Sequence, residues 1–326
     1  MPVTNIRNYA AAITLGWVLL VSIADAQTER ERLMVLTFDD LPYQTAGYSE
    51  TVLRGRRVTD ELLRTLAIYQ APTTVFVNES KLYINDQTEA RIGLLERWVE
   101  YGAVLGNHTY SHSDLNLLSV EEFEREIIDG EPVTLRLMSS RTPYQRFFRH
   151  PYTHTGDTED KKVRITAFLH ERNYEIAPFT IDGQDSIFNR VYLFAKQSNN
   201  DELVARVRDA YVDFVVSATE FAERISVEIF GDEIPQTLVL HANDLNADSL
   251  DRLLDRLVQR NYRFVNLTDA MQHPAYNTED KLVTSFGPSW LWRWTKSMEL
   301  DVSFRGDPEP PEWILKLFEE SISSEP

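Results

Sequence analysis

Short runs of β-branched and aromatic residues recur along the chain, and a helix-like stretch follows nearly every one. Leu33–Phe38 (LMVLTF) precedes an apolar-periodic segment from Glu50 to Tyr69, and Thr73–Val77 (TTVFV) precedes Glu89–Tyr101. Ala103–Leu105 leads to Val120–Met138, and Arg146–Phe148 leads to Glu159–Arg172. Tyr174–Ile181 leads, after a loop, to Asp201–Arg224; Gln236–Leu240 leads to Ser249–Gln259; Tyr262–Val265 closes the series. The strand runs are continuously apolar rather than alternating. That pattern predicts an α/β fold whose parallel sheet is covered by helices on both faces. Seven such units in one chain favour a barrel over an open doubly wound sheet.

Polar residues gather where those runs end. Asp39 and Asp40 follow the first strand, Asn78-Glu79 the second and Asn107-His108 the third. Arg149, Asp182, His241 and Thr268-Asp269 follow the remaining four in order. In a parallel barrel the C-terminal strand ends share one mouth, so these groups are expected to converge there.

Two of the clusters suggest a chemistry. Thr37–Asp40 reads TFDD, and Gly106–His112 reads GNHTYSH. Adjacent carboxylates with a His-x-x-x-His pair supply one general base and three ligands for a divalent metal, the minimum for metal-assisted hydrolysis of an amide or ester. If the second segment turns helically, His108 and His112 share one face. Two imidazoles and one carboxylate leave open positions, as a catalytic rather than a structural site requires.

Composition narrows the setting. The 326 residues contain no cysteine, which excludes disulfides, thiolate ligands and an acylated-cysteine anchor. The net charge of −18 argues against nucleic acid or anionic lipid as partner and is compatible with a neutral glycan. Most of that charge serves solubility. At the N-terminus Arg7, the apolar stretch Ala10–Ile23 and the small-x-small triplet Ala24-Asp25-Ala26 predict a signal peptide over residues 1–26. The expected location is therefore the periplasm or the exterior. The apolar stretch is shorter than the roughly 20 residues that a membrane span needs, and no later segment is apolar enough.

Three further pieces follow in order: RHPY at Arg149–Tyr152, DGQD at Asp182–Asp185, and His241 in LVLH. With TFDD and HxxxH, they resemble the polysaccharide deacetylases of carbohydrate esterase family four, the NodB-homology fold, from about Leu33 to Met271. The resemblance implies a distorted (β/α)7 barrel over residues 27–273, with residues 274–326 as an extension packed on it. It implies hydrolysis of N-acetyl, or O-acetyl, groups on a glycan such as peptidoglycan or a GlcNAc-containing exopolysaccharide. One divalent ion is implied, zinc first, with cobalt, manganese or nickel as alternatives, held by Asp40, His108 and His112. Asp39 becomes the base and Arg149 its partner. Pro151 lies in the groove wall, and the Tyr152 amide faces the oxyanion. His241 becomes the general acid, oriented by Asp185, and Leu238 and Leu240 offer a pocket for the acetyl methyl.

The chain departs from the family after Asp185, where an aromatic, often Trp, is usual. Here Ser186 follows, and the nearest aromatic is Phe188. That departure keeps open a non-glycan amidohydrolase acting on a small amide or formyl substrate. A catalytically silent glycan-binding module is the third reading, and retention of Asp39, the three ligands, Arg149 and His241 argues against it. Asp182 also fits a plain Asp-Gly turn. His150, His154, His170 and His273 receive no role. Past Met271, Pro and Trp accumulate, and Trp290, Trp292 and Trp294 are expected to pack down as core rather than to stack on sugars.

Overall fold

A computed structural model of the chain describes residues 1, 31–45, 51–141 and 143–323. The expected signal peptide therefore lies, Met1 apart, outside the described residues. From Glu31 onward the chain forms one compact unit. No described helix is long and apolar enough to cross a membrane.

Eight strands build one sheet: β1 Arg32–Leu41, β2 Thr73–Val77, β3 Val104–Asn107, β4 Arg146–Phe148, β5 Tyr174–Ile176, β6 Ile181–Asp182, β7 Gln236–His241 and β8 Tyr262–Phe264. The order is β5-β4-β3-β2-β1-β7-β6, every pairing is parallel, and β8 joins β1 at Arg32–Met34. Central β1 is buried from Met34 to its end, as its unbroken apolar run requires.

The two edge strands, β5 and β6, are neighbours in sequence. Laid flat, the seven strands of that path would separate the edges by about 29 Å. The chain from Ile176 to Ile181 can reach at most about 19 Å. The sheet must therefore curl, which gives the distorted barrel. The expected single strand Tyr174–Ile181 is thus two. Ala177 N–H donates to Phe148 O at 2.8 Å, on β4, whereas Thr180 N–H donates to Thr237 O at 2.9 Å, on β7. Between them Pro178 has no N–H to pair, so the crossing costs the ladder no donor there.

The helices follow the sequence pattern with four differences, the first being that the helix begun at Asp201 runs past the expected Arg224 to Phe230. The stretch expected as one helix from Val120 to Met138 breaks into Val120–Asp129 and Pro132–Met138, because Pro132 can open a helix but cannot continue one. Helix Asp244–Gln259 begins ahead of the expected Ser249, where the Asn243 side chain accepts from Asn246 N–H. Asp185–Gln197, expected as loop, is a helix and carries a site residue at its first position.

The region past Met271 contributes to the main core. Trp290, Leu291, Trp294 and Ile314 are all buried in the same apolar cluster as β1 and β7.

Candidate active site

β1 and β7 run in register so that Asp39 lies opposite His241. β3 delivers His108 from the next strand but one. Its last residue, Asn107, fixes the following turn by accepting from Thr109 N–H at 2.7 Å and donating to Ile127 O at 2.9 Å. The segment from His108 to His112 is not helical. Thr109 and His112 take positive φ of 63° and 61°, and this left-handed path, rather than a helix face, brings the two imidazoles together. Asp40 also has positive φ, at 66°. Such concentration of unfavourable backbone at one place is characteristic of functional sites.

Asp40, His108 and His112 offer ligand atoms that lie within 4.8 Å of one another. Their chemistry suits a divalent ion. The His108 Nδ1–H donates to Arg149 O at 2.8 Å, which leaves Nε2 with its lone pair toward the cluster. Burial, with His112 nearby, pushes the His108 pKa well down, and burial likewise lowers that of His112, so both rings are neutral donors. Burial disfavours the charge on Asp40, but Lys81 and the surrounding histidines outweigh it and hold the carboxylate well below its usual range. Its buried Oδ1 accepts no hydrogen bond and lies 3.5 Å from His112 Nε2 and 3.2 Å from Lys81 Nζ.

Asp39 sits behind this cluster, its Oδ2 3.9 Å from His108 Nε2. Arg149 Nη1 donates to both of its oxygens at 3.4 and 3.5 Å and to Thr37 Oγ1 at 3.0 Å. Burial raises the Asp39 pKa; Arg149 and His241 pull against it, leaving it at about 6.

On the opposite wall His241 Nδ1 is 2.7 Å from Asp185 Oδ1, and its Nε2 is 3.9 Å from Asp40 Oδ2. Burial opposes the imidazolium, yet Asp185, Asp40 and Asp39 prevail and raise the His241 pKa to about 10. Asp185 is itself fixed by donation from His241 N–H at 2.8 Å, Asn243 Nδ2 at 2.9 Å and Asn246 Nδ2.

The Tyr152 ring packs edge-on to His112 with centroids 4.6 Å apart, and the preceding Pro151 is buried. Leu238 and Leu240 are both fully buried. Asp182 remains apart from the cluster, accepting from Gln184 N–H at 2.8 Å in a tight turn. Glu79 and Asp269, also at strand ends, serve helix starts: Glu79 accepts from Val133 and Thr134 N–H, and the Asp269 N–H donates to Asn266. His150 is buried against Phe123 and Phe148.

Sequence reasoning missed Lys81 and Gln44. Lys81 lies in a single 3-10 turn, Glu79–Leu82, and no motif marks it. Gln44 Nε2 donates to Asp40 Oδ2 at 3.1 Å and to Ser186 Oγ at 2.9 Å, joining the two walls where the family carries an aromatic.

Residues 26–167 match the polysaccharide deacetylase family. Among curated relatives, the chain is 22% identical over 263 residues to a peptidoglycan-N-acetylglucosamine deacetylase of Bacillus cereus, covering 79% of this chain and 74% of the relative. It is 28% identical over 153 residues to a chitin deacetylase of Arthroderma benhamiae, covering 47% of this chain but 34% of the relative. A solved chitin deacetylase from Colletotrichum lindemuthianum aligns with a TM-score of 0.48 at 20% identity, over 74% of this chain and 88% of that one.

Proposed function

From the match of residues 26–167 to the polysaccharide deacetylase family, we propose that the protein is a metal-dependent hydrolase of N-acetyl, or O-acetyl, groups on a cell-wall or extracellular glycan. The observation that carries the reading is the assembly of Asp40, His108 and His112, with ligand atoms within 4.8 Å, between the carboxylate of Asp39 and the imidazole of His241. A divalent ion held by those three residues, zinc by preference, would polarise the acetyl carbonyl and lower the pKa of water.

The chain's own groups supply the proton transfers. Asp39, ionised at neutral pH with a pKa of about 6, takes a proton from the attacking water while Arg149 holds its orientation. The new C–O bond turns the carbonyl oxygen into an oxyanion, for which the resemblance implies the Tyr152 amide as donor. His241, protonated at neutral pH with a pKa of about 10, gives its Nε2 proton to the leaving nitrogen as the C–N bond breaks. Acetate and an amine result. Asp185, bonded to Nδ1, keeps the other ring nitrogen turned to the site.

Export through the expected signal peptide is part of the proposal, since it would bring the enzyme to a glycan outside the cell; N-terminal sequencing of the protein from culture should then begin near Gln27. The decisive experiment is acetate release from peptidoglycan, chitooligosaccharides and acetylated exopolysaccharide, before and after chelation and metal restoration. Activity that survives complete metal removal overturns the proposal.

A further inference from the structure

The three tryptophans of the C-terminal region do not share one fate. Helix Trp290–Ser297 turns Trp290 and Trp294 inward, 6% and 1% exposed, because four residues bring a helix nearly full circle. Trp292 lies on the other side and remains partly exposed. Its ring is held in place: Phe286 meets it edge-on at 5.4 Å between centroids, and Lys296 Nζ lies 5.2 Å from its centre.

Trp292 lines a cavity of about 230 Å³ whose polar wall includes Asp182, Gln184, Ser289 and Asp307. None of the proposed catalytic or ligand residues lines the cavity itself, but two of its walls lead to them. Gly287, in its wall, is pressed so closely against Tyr152 that a Cβ there would stand 1.9 Å from the Tyr152 carbonyl oxygen. Tyr152 in turn packs on His112. On the other side, Asp182 pairs with Val239, two residues before His241, a separation of about 8 Å by strand geometry. A larger cavity, about 840 Å³, lies between helix Glu159–Glu171 and the C-terminal region and is lined by none of the proposed catalytic or ligand residues.

We infer that the Trp292 cavity is a subsite for one pyranose ring of the glycan, next to the sugar whose acetyl group is removed. A fixed indole offers its face to the C–H groups of the sugar, and the carboxylates, amide and hydroxyl around it match ring hydroxyls. Gln184, two residues before Ser186, lines this cavity while Ser186 itself does not, so the chain takes its aromatic wall from a different segment. The inference rests on the glycan reading above.

The test uses the full chain and chitooligosaccharides of increasing length. Wild-type kcat/KM should rise from dimer to hexamer, and Trp292→Ala should lose about tenfold on the hexamer and much less on the dimer, the size of one aromatic contact. An equal loss at every length, or none, overturns the subsite. Phe286→Ala, which removes the support of the ring, should show the same length dependence and serves if Trp292→Ala does not fold. Binding is read separately by tryptophan fluorescence of the metal-free protein titrated with chitohexaose. Saturable quenching that Trp292→Phe removes supports the subsite even if no acetate is released, a result that would sink only the proposed reaction. Acetate release with quenching unchanged in Trp292→Phe sinks only the subsite.

Discussion

Three histidines meet in one pocket and are driven to opposite charge states. His108 is buried, His112 is half-buried beside it and near Lys81, and both are held neutral. His241 is half-buried like His112, but Asp185 bonds its Nδ1 and Asp40 and Asp39 lie near, so it stays protonated to about pH 10. Burial acts in the same direction on all three; partners decide the outcome. The walls differ in hydrogen bonding as well. On the ligand wall Asp40 Oδ1 accepts no bond, whereas on the acid wall the two oxygens of Asp185 accept from His241, Asn243 and Asn246. One wall leaves a buried acceptor unpaired and the other is saturated. The proposed reaction would need both, the first to hold a cation and the second to deliver a proton.

Breaking the ligand wall should have the largest effect. His112→Ala should lose bound metal and activity together, measured by elemental analysis and acetate release. Asp39→Asn should lower turnover by roughly 10²–10⁴-fold with metal content unchanged, because a base is not a ligand. Loss of metal in Asp39→Asn would reverse the assignment of the two carboxylates. The acid wall comes next. His241→Ala should slow amide substrates by about 10²-fold or more and activated esters far less, since an amine leaves poorly without a proton. Equal loss on both substrates would make His241 a support rather than an acid.

The ligand wall was also the more legible in sequence. TFDD and HxxxH are legible because a metal demands particular residue types at fixed strand ends, and the strands are legible because parallel buried runs are continuously apolar. The family match stops at residue 167, short of the acid wall. There the helix Asp185–Gln197 escaped notice because it opens directly on the turn-like residues Asp182–Gln184, although Phe188, Val191, Tyr192 and Ala195 are spaced as one buried helical face. The split between β5 and β6 was hidden because an apolar run does not reveal that its hydrogen bonds pass from β4 to β7 midway. The left-handed turns at Thr109 and His112 replaced an expected helical face because the polar side chain of Asn107 captures the Thr109 amide. Lys81 and Gln44 reach the site through side-chain length alone, which no spacing encodes.

Lys81 provides a smaller test on the ligand wall. Its ammonium stands 3.2 Å from the Asp40 oxygen that a metal would need and donates to the Asp40 carbonyl at the same distance. A cation binding there must displace that ammonium or tolerate it. Lys81→Met should therefore tighten metal binding by about tenfold, a modest figure for one charge at a partly screened site. Competition with a chromogenic chelator measures it directly. Unchanged affinity would mean that Lys81 leaves the carboxylate without cost when metal arrives.

The acid wall can be tested without turnover, through the stability of the metal-free protein. A histidine whose pKa is raised by folding stabilises the native state fully below its unfolded value of about 6.5. As pH rises through the interval up to about 10, the native state keeps a proton that the unfolded chain has released, so stability falls. One such group contributes a slope of about −1.4 kcal/mol per pH unit within that window. Other groups titrate there too, so the informative quantity is the difference between wild type and His241→Ala in urea denaturation at pH 7, 8 and 9. The wild type should lose its advantage steadily across those points, and Asp185→Asn should flatten the trend by removing the partner that holds the proton. A wild-type advantage independent of pH would mean that His241 is neutral in the folded protein, and His108, His112 and His241 would then differ in position but not in charge.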